Sequence, residues 1–393
     1  MSVTAAAGFV AAGVHCGIKG DPEALDLALV ATDPVRPVAT AAVFTSNRAS
    51  AAPVQVTRAH LAATGGRAAA VILNSGNANA ATGELGRRDA EQMCALVAGA
   101  LGCGTEEVLV CSTGLIGIPL PMDAVAGGID PLVLGRRKGT DAAHAAAGAI
   151  CTTDTVLKEV VVDGPGFTVG GMAKGAAMLA PDMATMLAVL TTDAFISPAD
   201  LQPVVEAAVD GSFNALSVDG CTSTNDTVLV LASGVSPSHE PTDRVELGKA
   251  LGAACADLAA QMAGDAEGAT KVVTVRVTGA RSSDDARRAA RKVAESQLVK
   301  CSLYGADPYW GRVVSELGSS GAVFDLDRVT VAYGGVVVCA GGIGVAHDQA
   351  AVAAHLGGRH VEVAADLGLG DADATILTND LTPGYIAENM RTS

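Results

Sequence analysis

The sequence predicts an α/β (α+β) protein, with layered sheets flanked by helices, and three observations carry that expectation. Short β-rich apolar runs alternate with alanine-rich stretches of helical spacing along the 393 residues. Hydrophobic residues make up 49% of the chain but aromatics only 3%, beside 46 glycines, so small aliphatic side chains must fill the core. Only 17% of residues are charged, which excludes a disordered chain and lets one of this length bury a large core.

The elements follow in order. AAVILNSGNANAATG (69–83) is an apolar strand feeding a Gly/Asn loop, and RRDAEQMCALVAGALG (87–102) then has helical spacing and stops at a glycine. EVLVCSTGLIG (107–117) repeats the strand-then-turn pattern. GPG (164–166) and SPSHEPTD (236–243) read as surface turns rather than linkers. VELGKALGAACADLAAQMAGD (245–265) is an amphipathic helix, KVVTVRVTG (271–279) a strand, and ARSSDDARRAARKVAES (280–296) a helix with its charges on one face. VFDLDRVTVAY and GVVVCA (323–340) form a hairpin. No repeat, coiled coil or low-complexity tract interrupts the alternation.

Composition also limits function. The net charge of −16 argues against nucleic acid. No uncharged apolar run reaches the ~18 residues of a membrane span, and the N-terminus lacks the basic and apolar regions of a signal peptide. Nine cysteines, none in a CxxC pair, read as small buried thiols in a reducing cytoplasm rather than a disulfide framework.

Several tracts look chemical and read as structural. GGIGVAH (341–347) and LGLGD (367–371) complete no strand–GxGxxG–helix fingerprint and read as hairpin turns. His347, His355 and His360 match no metal-ligand spacing, so no metal is expected. No G-x-S-x-G elbow anchors a serine triad.

The segment MAKGAAMLAPDMATMLAVLTTDA (172–194) differs, because it places Lys174, Asp182 and Thr185 in an otherwise core-like run. A buried strand with a turn at Pro181 would leave Lys174 unexplained, since lysine is almost never buried without a partner. Here the sequence resembles the ornithine acetyltransferase (glutamate N-acetyltransferase) family of arginine biosynthesis, whose members cleave themselves before the threonine of an A-T-M-L motif. GFVAAGVHCGIK (8–19), AVFTSNRASAAPV (42–54), NSGNANAATG (74–83), STGLIG (112–117), TTDT (152–155), DGCTSTNDT (219–227), DAEGATK (265–271), YGADPYWGRV (304–313) and NDLTPGYIAEN (379–389) resemble family blocks in the family's order.

The resemblance implies a self-cleaving fold similar to that of related aminopeptidases. It implies cleavage between Ala184 and Thr185 into an α chain, 1–184, and a β chain, 185–393, assembled as α2β2. Thr185 would then hold the nucleophilic hydroxyl and, as a new N-terminus, an α-amine that titrates near ~8 and acts as its base. Thr113 and Gly114 would supply the oxyanion hole. N-acetylornithine and glutamate would be the substrates, with acetyl-CoA a further donor in some members; no cofactor is implied. Substrate contacts fall on Thr152, Lys174, Thr185, Glu267, Asn389 and Ser393, with Lys174 suited to a carboxylate and Glu267 to an ammonium. The terminal NMRTS departs from the family pattern by about one residue and lacks its aromatic. Asn225 and Asp226 read either as turn-forming or as supporting the residues that touch substrate, the turn-forming reading being preferred. An amidohydrolase or aminopeptidase with water as acceptor is the alternative.

Overall fold

In the strand Ala70–Asn74, Val71 and Leu73 turn to one core cluster while Ala70 and Ile72 turn to another, the period of two expected of a strand buried on both faces. The structure, a computed structural model, describes residues 2–178, 186–236 and 240–390. The chain forms two compact units, Met1–Asn214 with Thr222–Met262, and Ala215–Cys221 with Ala263–Thr392.

The first unit holds strands β1 (Phe9–Val14), β2 (Leu27–Thr32), β3 (Val38–Phe44), β4 (Arg67–Ala68), β5 (Ala70–Asn74), β6 (Val108–Ser112), β7 (Lys158–Gly164), β8 (Phe167–Lys174), β9 (Leu187–Thr192) and β10 (Thr227–Ala232). Its helices are α1 (Ala52–Thr64), α2 (Gly83–Leu101), α3 (Met122–Gly135), α4 (Thr140–Ile150) and α5 (Pro198–Asp210), and α6 (Arg244–Gly264) runs to its boundary. One sheet has the order β1-β2-β5-β6, with β5 and β6 parallel. The other has the order β4-β3-β10-β9-β8-β7, with β9 and β10 parallel.

Apolar patterning stacks these sheets. Ile72, Leu29 and Val110 pack outward against Val56 of α1, Met93 and Val97 of α2 and Ile129 and Leu132 of α3. Val71, Leu73 and Leu109 pack inward against Met172, Val189 and Leu229 of the second sheet, with Ala143, Ala146 and Ala147 of α4 in the same cluster. Helix α5 packs on β3, completing helix, sheet, sheet and helix layers as the sequence predicts. Truncating Ile72, which is fully buried, to alanine would cost ~2–5 kcal/mol. Small residues are required where α4 meets β1: a Cβ on Gly13 would lie 2.1 Å from the Ala145 carbonyl oxygen.

The second unit contains β11 (Val272–Ala280), α7 (Ser283–Ala294), α8 (Gln297–Tyr304), α9 (Trp310–Ser319), β12 (Thr330–Tyr333), β13 (Val336–Ala340), β14 (Ile343–Gly344), α10 (Gln349–Leu356), β15 (His360–Asp366), β16 (Ala372–Asn379) and α11 (Pro383–Asn389). Its sheet runs β14-β13-β12-β15-β11-β16. Val273, Val275 and Val277 pack with Ala286, Ala290 and Val293 of the amphipathic α7.

Most elements fall where the sequence places them, with shifts that caps and turns explain. The helix expected over 280–296 begins at Ser283, because the Ser282 hydroxyl accepts the Asp285 N–H at 3.2 Å and so sets the N-cap. The hairpin expected over 323–340 starts only at Thr330, after a 3-10 turn at Leu326–Arg328. GPG is the turn joining β7 to β8, and residues 237–239 of the second expected turn lie outside the described residues. All nine cysteines are free, but Cys221 and Cys301 are exposed, which corrects the expectation of uniformly buried thiols. Among the described residues no helix is long and apolar enough to cross a membrane.

Candidate active site

Strands β5 and β6 end together, with Asn74 paired to Ser112, and the loops that follow run against each other. These loops have few ladder bonds, so asparagine side chains replace them. Asn74 Nδ2 donates to Asn77 O at 2.8 Å, Asn77 Nδ2 to Ile118 O and Pro119 O at 3.1 Å each, and Asn79 Nδ2 to Gly86 O at 2.8 Å. Thr113 N donates to Asn74 O at 3.0 Å. Gly114 adopts φ 129°, and a Cβ there would lie 2.3 Å from the Gly76 carbonyl carbon, so only glycine fits. The Thr113 hydroxyl is buried without a hydrogen-bond partner among the described residues, and the Gly114 N–H donates to none of them. An unsatisfied buried polar group typically costs ~1–3 kcal/mol. Two consecutive donors are thus available to an oxygen that gains charge.

Lys174 ends β8 and pairs across the ladder with Leu187, which follows Thr185 by two positions. It is 2% exposed, and its partner is Asp154. One carboxylate oxygen of Asp154 lies 3.9 Å from Lys174 Nζ and accepts the Thr152 N–H at 3.0 Å. The other accepts Lys158 Nζ and the Gly175 N–H, each at 2.7 Å. Burial would raise the Asp154 carboxyl, but the Lys174 and Lys158 charges and these hydrogen bonds hold it at about 2. Two ammonium groups, those of Lys174 and Lys158, face this carboxylate in a desolvated place.

Lys19 supports the same region. Its Nζ donates to Leu25 O at 2.9 Å and to Cys151 O at 2.7 Å, pinning the backbone that enters Thr152, and burial lowers its pKa. The Lys19 loop is gathered by Asp26, whose carboxylate accepts the N–H groups of Cys16, Gly17, Ile18 and Lys19 at 2.7 to 3.1 Å. Sequence reasoning missed Asp154, Lys158, Lys19 and Asp26 as site residues. An aspartate inside TTDT and a lysine closing GFVAAGVHCGIK were the available signals.

In the second unit, Asn389 Nδ2 donates to Glu267 Oε2 at 2.8 Å. Asn389 ends α11, whose N-cap Thr382 donates to Gly268 O at 2.6 Å, so the terminal helix is tied to the Glu267 loop. Glu267 also lines a cavity of about 270 Å³ with Asp219, Glu295, Asp380, Lys300 and Tyr385. Lys300 Nζ donates to Val218 O at 2.7 Å and Thr378 Oγ1 at 2.8 Å, and burial brings its pKa down to about 8. Four carboxylates around this cavity favour a cationic group.

Of the residues singled out in the sequence, Thr113, Gly114, Thr152 and Lys174 lie in the first unit, and Asp154 bonds the Thr152 backbone and pairs with Lys174. Glu267 and Asn389 lie in the second unit, in contact. Ala184, Thr185 and Ser393 lie outside the described residues.

A hydroxyl kept buried and unpaired is useful where an oxyanion forms beside it, and among α/β enzymes the acyltransferases generate one. The ArgJ family matches residues 10–392. An arginine biosynthesis bifunctional protein ArgJ of Thermobifida fusca is 48% identical over 389 residues, covering 99% of each chain. One from Mycobacterium tuberculosis H37Rv is 48% identical over 393 residues, covering 98% of this chain and 95% of its own. Among solved structures, the Bacillus halodurans ArgJ protein shares 36% identity over 51% of this chain and 95% of its own, with a TM-score of 0.47. The M. tuberculosis ornithine acetyltransferase complexed with ornithine shares 48% identity over 46% of this chain and 94% of its own, with a TM-score of 0.42. The chain belongs to the ArgJ family of arginine-biosynthesis acetyltransferases.

Proposed function

We propose that this protein moves the acetyl group of N-acetylornithine to glutamate through an acetyl-threonine enzyme, giving ornithine and N-acetylglutamate. The observation that carries the reading is the Thr113 hydroxyl beside the Gly114 N–H, neither of which has a hydrogen-bond partner among the described residues. The precursor cleaves between Ala184 and Thr185 when the Thr185 hydroxyl attacks the Ala184 carbonyl and water hydrolyses the resulting ester. The new α-amine serves as the base.

In the first half-reaction Thr185 Oγ attacks the acetyl carbonyl while its proton passes to the α-amine. The Thr113 hydroxyl and the Gly114 N–H stabilise the oxyanion. The tetrahedral intermediate collapses, the proton goes to the leaving amine, and ornithine departs from acetyl-Thr185. In the second half, the glutamate α-amine attacks the ester and N-acetylglutamate leaves. Lys174 takes the α-carboxylate common to both amino acids, the Thr152 hydroxyl bonds the amide, and Glu267 with Asn389 takes the ornithine ammonium. Ser393 is a further substrate contact in this reading. No cofactor enters these steps.

The relatives' name, bifunctional, supports a second donor, and we assign that role to acetyl-CoA acting on glutamate. The mature enzyme would be an α2β2 assembly in the cytoplasm. The test supplies N-acetylornithine with and without glutamate. Ornithine release should depend on glutamate beyond one turnover, with N-acetylglutamate formed in equal amount. Steady release of free acetate without glutamate would instead indicate the hydrolase.

A further inference from the structure

The dipeptide Asn225–Asp226, just before β10, bonds the backbone at Ser112 and at Met186. Asn225 Nδ2 donates to Ser112 O at 2.9 Å and to Ala78 O at 2.6 Å, and its Oδ1 accepts the Thr224 hydroxyl at 2.6 Å. Both donors of the amide and its acceptor are engaged. Ser112 O belongs to the peptide whose N–H is that of Thr113, and this N–H donates to Asn74 O at 3.0 Å. Peptides are planar, so the two bonds fix the plane from which the Thr113 side chain departs.

Asp226 does the same on the other strand. Its Oδ1 accepts the Met186 N–H at 3.0 Å, and Thr227 N donates to Met186 O at 3.2 Å. That N–H belongs to the peptide joining Thr185 to Met186. The Asp226 side chain is fully buried, and burial pushes its carboxyl well up, against the Met186 hydrogen bond and the Lys174 charge. Its main chain is also held, because Asp226 O accepts the Thr45 N–H at 3.0 Å.

We propose that Asn225 and Asp226 are positioning residues for acyl transfer, one rigid dipeptide that ties the backbone carrying the Thr113 hydroxyl to the backbone at Met186, the residue that follows Thr185 in sequence. The proposal rests on the reading of Thr185 as nucleophile and extends it. Among the described residues neither side chain hydrogen-bonds Thr152 or Lys174, so their loss should fall on rate rather than on substrate affinity. The turn-forming role expected from the sequence is also present, in the bond from Asn225 N to Ser223 Oγ at 3.1 Å.

The experiment measures kcat and KM for N-acetylornithine at saturating glutamate on cleaved enzyme carrying Asn225→Ala, Asp226→Ala, both together, or Asp226→Asn. Each single alanine variant should lose about 10- to 100-fold in kcat, the scale of a small misplacement, with KM within about twofold. Asp226→Asn keeps an oxygen acceptor in place and should retain kcat within about threefold. The double variant should be little worse than the slower single, because both residues maintain one register. Unchanged kcat in both alanine variants, a loss confined to KM, or an Asp226→Asn enzyme as slow as Asp226→Ala would overturn the proposal. If Asp226→Ala does not fold, Asn225→Ala and Asp226→Asn decide by the same criteria. Thr185→Ala separates the two levels. An active Thr185→Ala enzyme overturns the nucleophile itself, whereas an inactive one beside fully active alanine variants overturns only the positioning role.

Discussion

Lys174 and Asp154 form a buried ion pair, with 3.9 Å between Nζ and the nearer carboxylate oxygen, and the same carboxylate also holds Lys158 at 2.7 Å. The pair explains why a lysine sits at the end of a core strand. It also keeps a positive charge across the ladder from Leu187.

Asp154→Ala removes the carboxylate that the buried Lys174 and Lys158 ammonium groups face. Removing one partner of a buried pair costs ~3–5 kcal/mol. The expected outcome is a chemical denaturation midpoint lowered accordingly, whereas a change below ~1 kcal/mol would place this cluster with weak surface pairs.

The same pair fixes an acid response. The Asp154 carboxyl falls from its ordinary ~3.9 in the unfolded chain to about 2 in the folded one. A depressed folded pKa means the unfolded chain binds more protons between these values. Its contribution is therefore complete above pH ~4 and is lost as the pH falls toward ~2. Thermal unfolding of Asp154→Asn and the parent should differ most above pH ~4 and converge below it.

Thr113→Ala separates catalysis from folding. The hydroxyl has no partner among the described residues to lose, and removing an unsatisfied buried group relieves a cost of ~1–3 kcal/mol, so the variant should be at least as stable as the parent. Loss of one oxyanion donor should lower kcat by ~10²–10³. Gly114→Ala should damage both, because its Cβ would meet the Gly76 backbone at 2.3 Å.

Glu267→Gln keeps a carbonyl oxygen for Asn389 but removes the charge that faces an ammonium. Hydrogen bonds to charged groups contribute ~1.5–3 kcal/mol. KM for N-acetylornithine should rise about 10-fold or more, and KM for glutamate, which lacks that ammonium, should rise less.

Local elements were legible in the sequence and non-local pairings were not. The apolar spacing of 87–102 and the charged face of 280–296 located α2 and α7 within a turn, because helical periodicity is written in neighbouring residues. The pairing of Lys174 with Leu187, and of β9 with β10 in parallel, joins segments whose register depends on the whole sheet. Thr113, Gly114, Thr152 and Lys174 were singled out through motif resemblance. Asp154 was not, because an aspartate between threonines looks like a turn until Lys158 and Lys174 are folded around it. For Asn225 and Asp226 a turn-forming role was preferred over a supporting one for the same reason, since their carbonyl and amide partners are distant in the chain.

The central claim is that Thr185 carries the acetyl group between the two amino acids. The most direct measurement is mass spectrometry of purified enzyme incubated with N-acetylornithine and no glutamate. The expected result is two fragments, 1–184 and 185–393, with one acetyl group on Thr185 that is lost, with formation of N-acetylglutamate, when glutamate is added. Full activity from an intact chain, or sustained turnover with Thr185 never acetylated, would contradict it.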